Sequence, residues 1–68
     1  MADHVYRVTE IVGSSPESVQ QAIRNGVRRA GQTLRNVEWF EVLNERGRVE
    51  GETITFQVTL DIGFRLEE

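Results

Sequence analysis

Between Thr53 and Leu66 every even-numbered residue is apolar (Ile54, Phe56, Val58, Leu60, Ile62, Phe64, Leu66), and every odd-numbered one is polar or small. Only a strand with one buried face keeps a period of two over that length. The run from Val37 to Arg46 pairs with it as a hairpin, and Phe40 and Val42 are the natural partners of its apolar face. Trp39 then shares the opposite face with Glu41, Leu43 and Glu45. A packed indole buries roughly 150–250 Å², so a tryptophan on a mostly polar sheet face needs a cover, either another subunit or a flat ligand.

The rest of the chain supplies one more strand and one helix. His4 to Val12 is rich in valine and isoleucine and stops at Gly13, a strand signal. Its inward side is open, since Tyr6, Val8 and Val12 lie on one side and Val5 and Ile11 on the other. Ser15 is placed to cap a helix, Pro16 suits its first position, and Glu17 complements its positive end. The helix is predicted to run to about Leu34, with Val19, Ala22, Ile23, Gly26, Val27 and Ala30 forming an apolar stripe. Gly26 within that stripe marks a close approach of helix and sheet. A strand that crosses over through a helix normally returns parallel to itself. The last strand therefore runs opposite to both others and fits between them. The fold class is α+β, in β-α-β-β order: a three-stranded antiparallel sheet with a helix on one face. The segment Arg48–Glu52 is the hairpin turn, with Gly51 available for a positive φ. The bare face carries Trp39, Leu43, Gln57 and Thr59.

With 68 residues the chain makes a single domain, 1–68, and a domain this short buries only about 60% of its unfolded surface. Below roughly 70–80 residues, folds lean on disulfides, a metal or oligomerisation. Cysteine is absent and histidine occurs once, so self-association is the expected supplement. The eight basic residues are all arginine against eleven acids, a net charge of −3 that disfavours a nucleic-acid partner. A polar start, Met1-Ala2-Asp3-His4, and the lack of a long apolar run give neither signal peptide nor membrane span and point to the cytoplasm.

Trp39 reads either as an interface aromatic or as a ligand-stacking residue. Gln57 reads as a solvated strand residue, or as an amide whose adjacent donor and acceptor match the edge of a flavin or nucleobase. If residues near Val49 pair with residues near Thr53, Trp39 stands opposite Gly63, six residues from Gln57 and so roughly 20 Å away. A site using both side chains is then built from more than one subunit. Arg46, Arg48 and Arg65 read as surface arginines paired with Glu45, Glu50 or Glu67, or as phosphate ligands near a ring site. Glu38, Glu41 and Glu45 are ordinary strand-face acids without a nucleophile or base beyond His4, which argues against catalysis. The glycines match no phosphate loop, and no metal site is expected.

Taken together, Tyr6-Arg7-Val8-Thr9-Glu10-Ile11-Val12-Gly13-Ser14-Ser15, Val37-Glu38-Trp39-Phe40-Glu41-Val42, Arg46-Gly47, Phe56-Gln57-Val58 and Gly63-Phe64-Arg65-Leu66-Glu67 resemble the bacterial, FMN-type branch of the dodecins, small flavin-binding proteins. The resemblance spans nearly the whole chain. It implies a β-α-β-β unit wrapping its helix, assembled into a hollow homo-dodecamer with flavins stacked in pairs between tryptophans of neighbouring subunits. It implies that Trp39 stacks on the flavin, that Gln57 bonds the isoalloxazine edge, and that Val37 is an apolar pocket residue. Arg46 and Arg65 match arginines presented to the phosphate of FMN, and to coenzyme A in some members. A riboflavin-preferring branch carries an acid near the first of these positions, so Arg46 speaks for FMN. The implied role is storage and photoprotective quenching of flavin without turnover. The alternative is a structural or interaction module whose tryptophan face only docks subunits or a partner.

Overall fold

Three segments with strand periodicity and one with helical periodicity become β1 (Tyr6–Ser15), α1 (Val19–Thr33), β2 (Val37–Glu50) and β3 (Thr53–Arg65). The computed structural model describes residues 3–67, so Met1, Ala2 and Glu68, at the ends of the expected domain and of the polar N-terminal stretch, lie outside the described residues. The sheet order is β1-β3-β2, with β3 antiparallel to both neighbours. The crossover argument and the alternation of Thr53–Leu66 thus lead to the observed topology.

The even side of β3 forms the core. Val58, Leu60 and Ile62 are fully buried against Ala22 and Ala30 of α1, with Ile11, Val19, Ile23, Val27, Leu34 and Val37 packed around them. Small residues let the layers meet. A Cβ on Gly26 would lie 2.9 Å from Leu60 Cδ1 and 3.4 Å from the Gly13 Cα, and one on Gly13 would collide with the Ala22 carbonyl. Ile11 and Gly13 therefore face the helix. The open choice for β1 resolves with Tyr6, Val8 and Val12 on the other side, opposite Arg65, Gly63 and Thr59.

Two local expectations are corrected. Strand β1 continues through Gly13 to Ser15, because Gly13 serves as a helix contact and not as a terminator. The helix cap is Ser18, whose Oγ accepts from Gln21 N at 2.9 Å, so Pro16 precedes the helix. Buried Ser15 instead accepts from Glu17 N at 3.0 Å, forming a turn that leads into the cap. At the far end the Leu34 N–H bonds Ala30 O, and Asn36 adopts φ 63°, a conformation that asparagine tolerates better than most residues. The hairpin turns at Gly51 with φ 61°, as its two-residue loop requires.

Length mismatch then leaves much of the hairpin uncovered. Fifteen helical residues reach about 22 Å, whereas thirteen residues of β3 reach about 43 Å. The arm therefore extends past the helix, and Val49 and Ile54 near its tip are 70% and 51% exposed. Phe40 and Val42 do oppose Ile62 and Leu60, yet Phe40 remains 46% exposed because α1 lies over β1 and β3 and barely reaches β2. The radius of gyration is 14.0 Å, against about 11 Å for a compact chain of this length. Principal extents of 54 × 20 × 14 Å describe a plank.

Candidate functional site

The side of the sheet away from α1 has no second layer among the described residues, and two irregularities in β2 decide what it displays. The pairing shifts register between Val37 and Trp39 and again between Val42 and Asn44, leaving Glu38 and Leu43 as extra residues. Bulges of this kind re-aim side chains. The first allows Glu38 and Trp39, adjacent in sequence, to act on the same side. The second places Asn44 opposite Thr59 and Arg46 opposite Gln57, so Glu45 lies opposite Val58 on the helix side. The expectation that Glu45 shares the face of Trp39 is therefore corrected, while residues near Val49 do pair with residues near Thr53. Val49 pairs with Ile54, and Glu50 with Thr53.

At one end of the face, Trp39 stands opposite Gly63, and its indole occupies the space where a side chain at Gly63 would be. A glycine in the central strand is thus a seat for the ring. Trp39 stays 40% exposed. Tyr6 reaches over from β1, with ring centroids 6.1 Å apart and planes at 52°. Its hydroxyl donates to Glu38 Oε1 at 2.8 Å, while Glu38 Oε2 lies 3.4 Å from Arg65 Nη1. That hydrogen bond to the carboxylate holds the Tyr6 phenol above its ordinary value, with burial and the Glu38 charge adding in the same direction. Arg65 therefore pairs with Glu38 and not with Glu67, which faces Arg35 at 4.0 Å. Asn36 fixes the backbone beneath this group, giving Nδ2 to Arg65 O and accepting from Arg65 N.

At the other end, Arg46 lies along the sheet. Its Nη1 donates to Asn44 Oδ1 at 2.8 Å and to the buried Thr59 Oγ1 at 3.0 Å, and its Nε to Gln57 Oε1 at 3.3 Å. The Gln57 amide oxygen is engaged by this contact. Arg48 pairs with Glu50 at 3.0 Å, as the sequence suggested.

Six residues of β3 separate Gln57 from Gly63, roughly 20 Å of extended chain. Trp39 and Arg65 therefore come together, Gln57 and Arg46 come together, and the two groups stay apart. Between them Glu10, Asp61 and Glu41 stand abreast, a row of like charges that repels an anion from the middle of the face. Val37 opposes Phe64 and packs on the core beside the first bulge. Sequence reasoning did not single out Tyr6, whose side of β1 it left open, nor Glu38 as its partner or Asn44, whose positions depend on the bulges. Among the described residues no group of three His, Cys, Asp or Glu side chains is placed to hold a metal ion. A groove of about 550 Å³ lies on the opposite side between α1 and β2, lined by Ile23, Arg24, Val27, Arg28 and Phe40. The open face has no covering layer among the described residues, so a ring bound there needs a second wall.

The sequence and fold match known proteins over nearly their whole lengths. The Dodecin family model matches residues 5–67. The dodecin of Thermus thermophilus is 46% identical over 65 residues, 94% of each chain. The structure of dodecin from Streptomyces coelicolor is 56% identical with a TM-score of 0.91, covering 100% of this chain and 99% of that one. A more distant relative, named calcium dodecin, from Mycobacterium tuberculosis, is 30% identical over 63 residues, 91% of this chain and 89% of its own. No helix among the described residues is long and apolar enough to cross a membrane. On the family match, on these identities and on its β-α-β-β sheet, the chain belongs to the dodecin family.

Proposed function

We propose that this dodecin binds flavin without turning it over, storing it and quenching its photochemistry as a cytoplasmic homo-dodecamer of single-domain chains. The observation that carries the reading is the seat of Trp39: an indole backed by Gly63, 40% exposed, on a sheet face without a layer of its own. A flat, electron-poor isoalloxazine suits such a surface, because stacking on aromatics is worth roughly 1–3 kcal/mol per ring in the nucleobase case. The residues present fit the group. Trp39 would take the ring face and Gln57 the ring edge, and Arg65 and Arg46 would take a phosphate, which favours FMN over riboflavin and leaves room for coenzyme A as a further phosphate ligand. Val37 would contribute from the core side, next to Trp39.

The 20 Å between Trp39 and Gln57 supports a site shared between subunits, one giving the indole and another the amide. Self-association is favoured independently. A plank with exposed Val8, Val12 and Phe40 and a long exposed edge in β2 is a poor monomer. The same apolar residues also fit a face that only docks subunits. Purification separates these readings. A yellow, weakly fluorescent, dodecamer-sized species in native mass spectrometry, releasing FMN on denaturation, is expected; a colourless oligomer indifferent to added FMN and riboflavin would establish the docking reading instead.

A further inference from the structure

The chain has one tryptophan and one tyrosine, and the fold brings them together from opposite edges of the sheet. Tyr6 and Trp39 meet across β3, their centroids 6.1 Å apart, where Gly63 offers no side chain to separate them. The phenol is already hydrogen-bonded to a carboxylate, Glu38 Oε1, at 2.8 Å. We propose that Tyr6 is a redox relay for Trp39, refilling the indole after it has lost an electron and passing the phenolic proton to Glu38.

The chemistry follows from the acidity of an oxidised phenol. A phenol radical cation is a strong acid, so a tyrosine gives up an electron readily only when a base already holds its O–H. It then loses electron and proton together at a lower potential than an indole loses an electron alone. Glu38 is such a base, and its other oxygen faces Arg65 at 3.4 Å. An oxidised phenol is a far stronger acid than a carboxylic acid, so transfer to Glu38 is downhill. The step balances. Trp39 radical cation, neutral Tyr6 and Glu38 carboxylate become neutral Trp39, Tyr6 phenoxyl and Glu38 carboxylic acid, with one electron moved to the indole, one proton moved to Glu38 and the net charge unchanged.

The natural oxidant is a photo-excited flavin on the open face of Trp39, and to that extent the relay rests on the function proposed above. Its effect is to draw the oxidising equivalent away from the indole, which would otherwise be exposed to irreversible damage. The cycle closes when the electron held by the oxidant returns to the phenoxyl and Glu38 returns the proton. A purely structural Tyr6, clamping Glu38 for Arg65, would have no such signature.

The test uses the full-length assembled protein, free of flavin, with a ruthenium polypyridyl photo-oxidant and a sacrificial electron acceptor. Transient absorption and electron paramagnetic resonance then follow two radicals that each have one possible source. In the parent the indole radical should decay into a tyrosyl radical, more slowly in deuterium oxide. In Tyr6→Phe the tyrosyl signal should be lost and the indole radical should persist. Glu38→Gln should slow the conversion and remove its isotope effect, while Trp39→Phe reveals any direct oxidation of Tyr6. An indole radical that decays equally fast in parent and Tyr6→Phe, or a tyrosyl yield undiminished in Trp39→Phe, overturns the relay. Titration of FMN with the parent and Tyr6→Phe proteins, read by flavin fluorescence, tests the other reading separately: failure to bind overturns the flavin function and leaves the radical result standing on its own.

Discussion

The two sides of β3 share a backbone and a hydrogen-bonding ladder but differ in what covers them. On the even side Val58, Leu60 and Ile62 are sealed under the small residues of α1. On the odd side Gln57, Thr59, Asp61, Gly63 and Arg65 lie between side chains of the neighbouring strands, and one large ring lies on the glycine. The chain thus builds its stability on one face and displays its chemistry on the other. Substitutions on the two faces should separate into those that unfold the chain and those that leave it folded but alter binding.

The largest effect is expected on the sealed side. Leu60→Ala should cost about 2–5 kcal/mol, because the methyl groups removed leave a cavity between two layers that cannot close around Gly26. Against a typical margin of about 5–15 kcal/mol this is enough to leave a small domain near its threshold. Urea unfolding of the assembled protein checks it. A loss below about 0.5 kcal/mol would mean that the helix contributes little to folding, a size expected of surface positions.

On the open side, Trp39→Ala should leave the fold intact and weaken flavin binding by about 1–3 kcal/mol. It should also restore the emission of whatever flavin still binds, since in the proposed function the indole is both the stacking surface and the nearby electron donor. Gln57→Ala should weaken binding with less effect on emission, because an amide meets the edge of a ring and not its face. Steady-state fluorescence and excited-state lifetimes of dilute FMN titrated with each protein distinguish the two. Parental affinity and an equally dark flavin in Trp39→Ala would sink the stacking role.

How far each face could be read from the sequence differs for physical reasons. The sealed face was legible because burial imposes strict alternation, and Thr53–Leu66 obeys it without interruption. The position of Trp39 opposite Gly63 followed from the expected hairpin register. What sequence could not give was the pair of bulges in β2, since an extra residue leaves little mark where both faces of a strand are exposed. The adjacent apolar pair Val42-Leu43 breaks the alternation at the second bulge and is its only local hint. The consequence is chemical. Without that bulge the site end near Gln57 would present Glu45, and with it the face presents Arg46. The helix start was misplaced by three residues for a related reason: Ser15 and Ser18 are both competent caps, and the tertiary path of β1 chooses between them.

Arg46 also sets a finer test of the open face. Arg46→Ala should weaken FMN by roughly 1.5–3 kcal/mol, the range for hydrogen bonds to charged groups. Riboflavin should weaken less, though not by zero, because Gln57 also loses the donor that orients its amide. Arg65→Ala removes the guanidinium that neutralises Glu38, so it should weaken FMN while leaving a carboxylate unpaired beside the ring. Calorimetry with the two flavins provides the comparison. Equal losses for both flavins in Arg46→Ala would assign it to positioning Gln57 alone, with no phosphate contact.

The smallest expected effect concerns Tyr6. Its phenol titrates above the ordinary value of 10.0 because its hydrogen bond to Glu38 is lost when the proton leaves, with burial and the Glu38 charge opposing the phenolate further and Arg65 partly relieving it. The sign of the linkage follows. Below the unfolded value both states hold the proton and the stabilisation is fully present; above it the unfolded chain releases the proton first, so stability falls as pH rises through the raised folded value. The pair lies at the surface, which keeps the change small. Phenolate absorbance should show a midpoint above that of a free tyrosine in the parent, and a midpoint moved back towards it in Glu38→Gln. Tyr6→Phe should remove this part of the alkaline loss of stability while leaving Trp39 seated on Gly63, because the indole is held by the glycine beneath it and not by the phenol beside it. An unshifted parent midpoint would mean that the Tyr6 to Glu38 bond does not persist in solution, and the open face would then hold its tryptophan without an attached base.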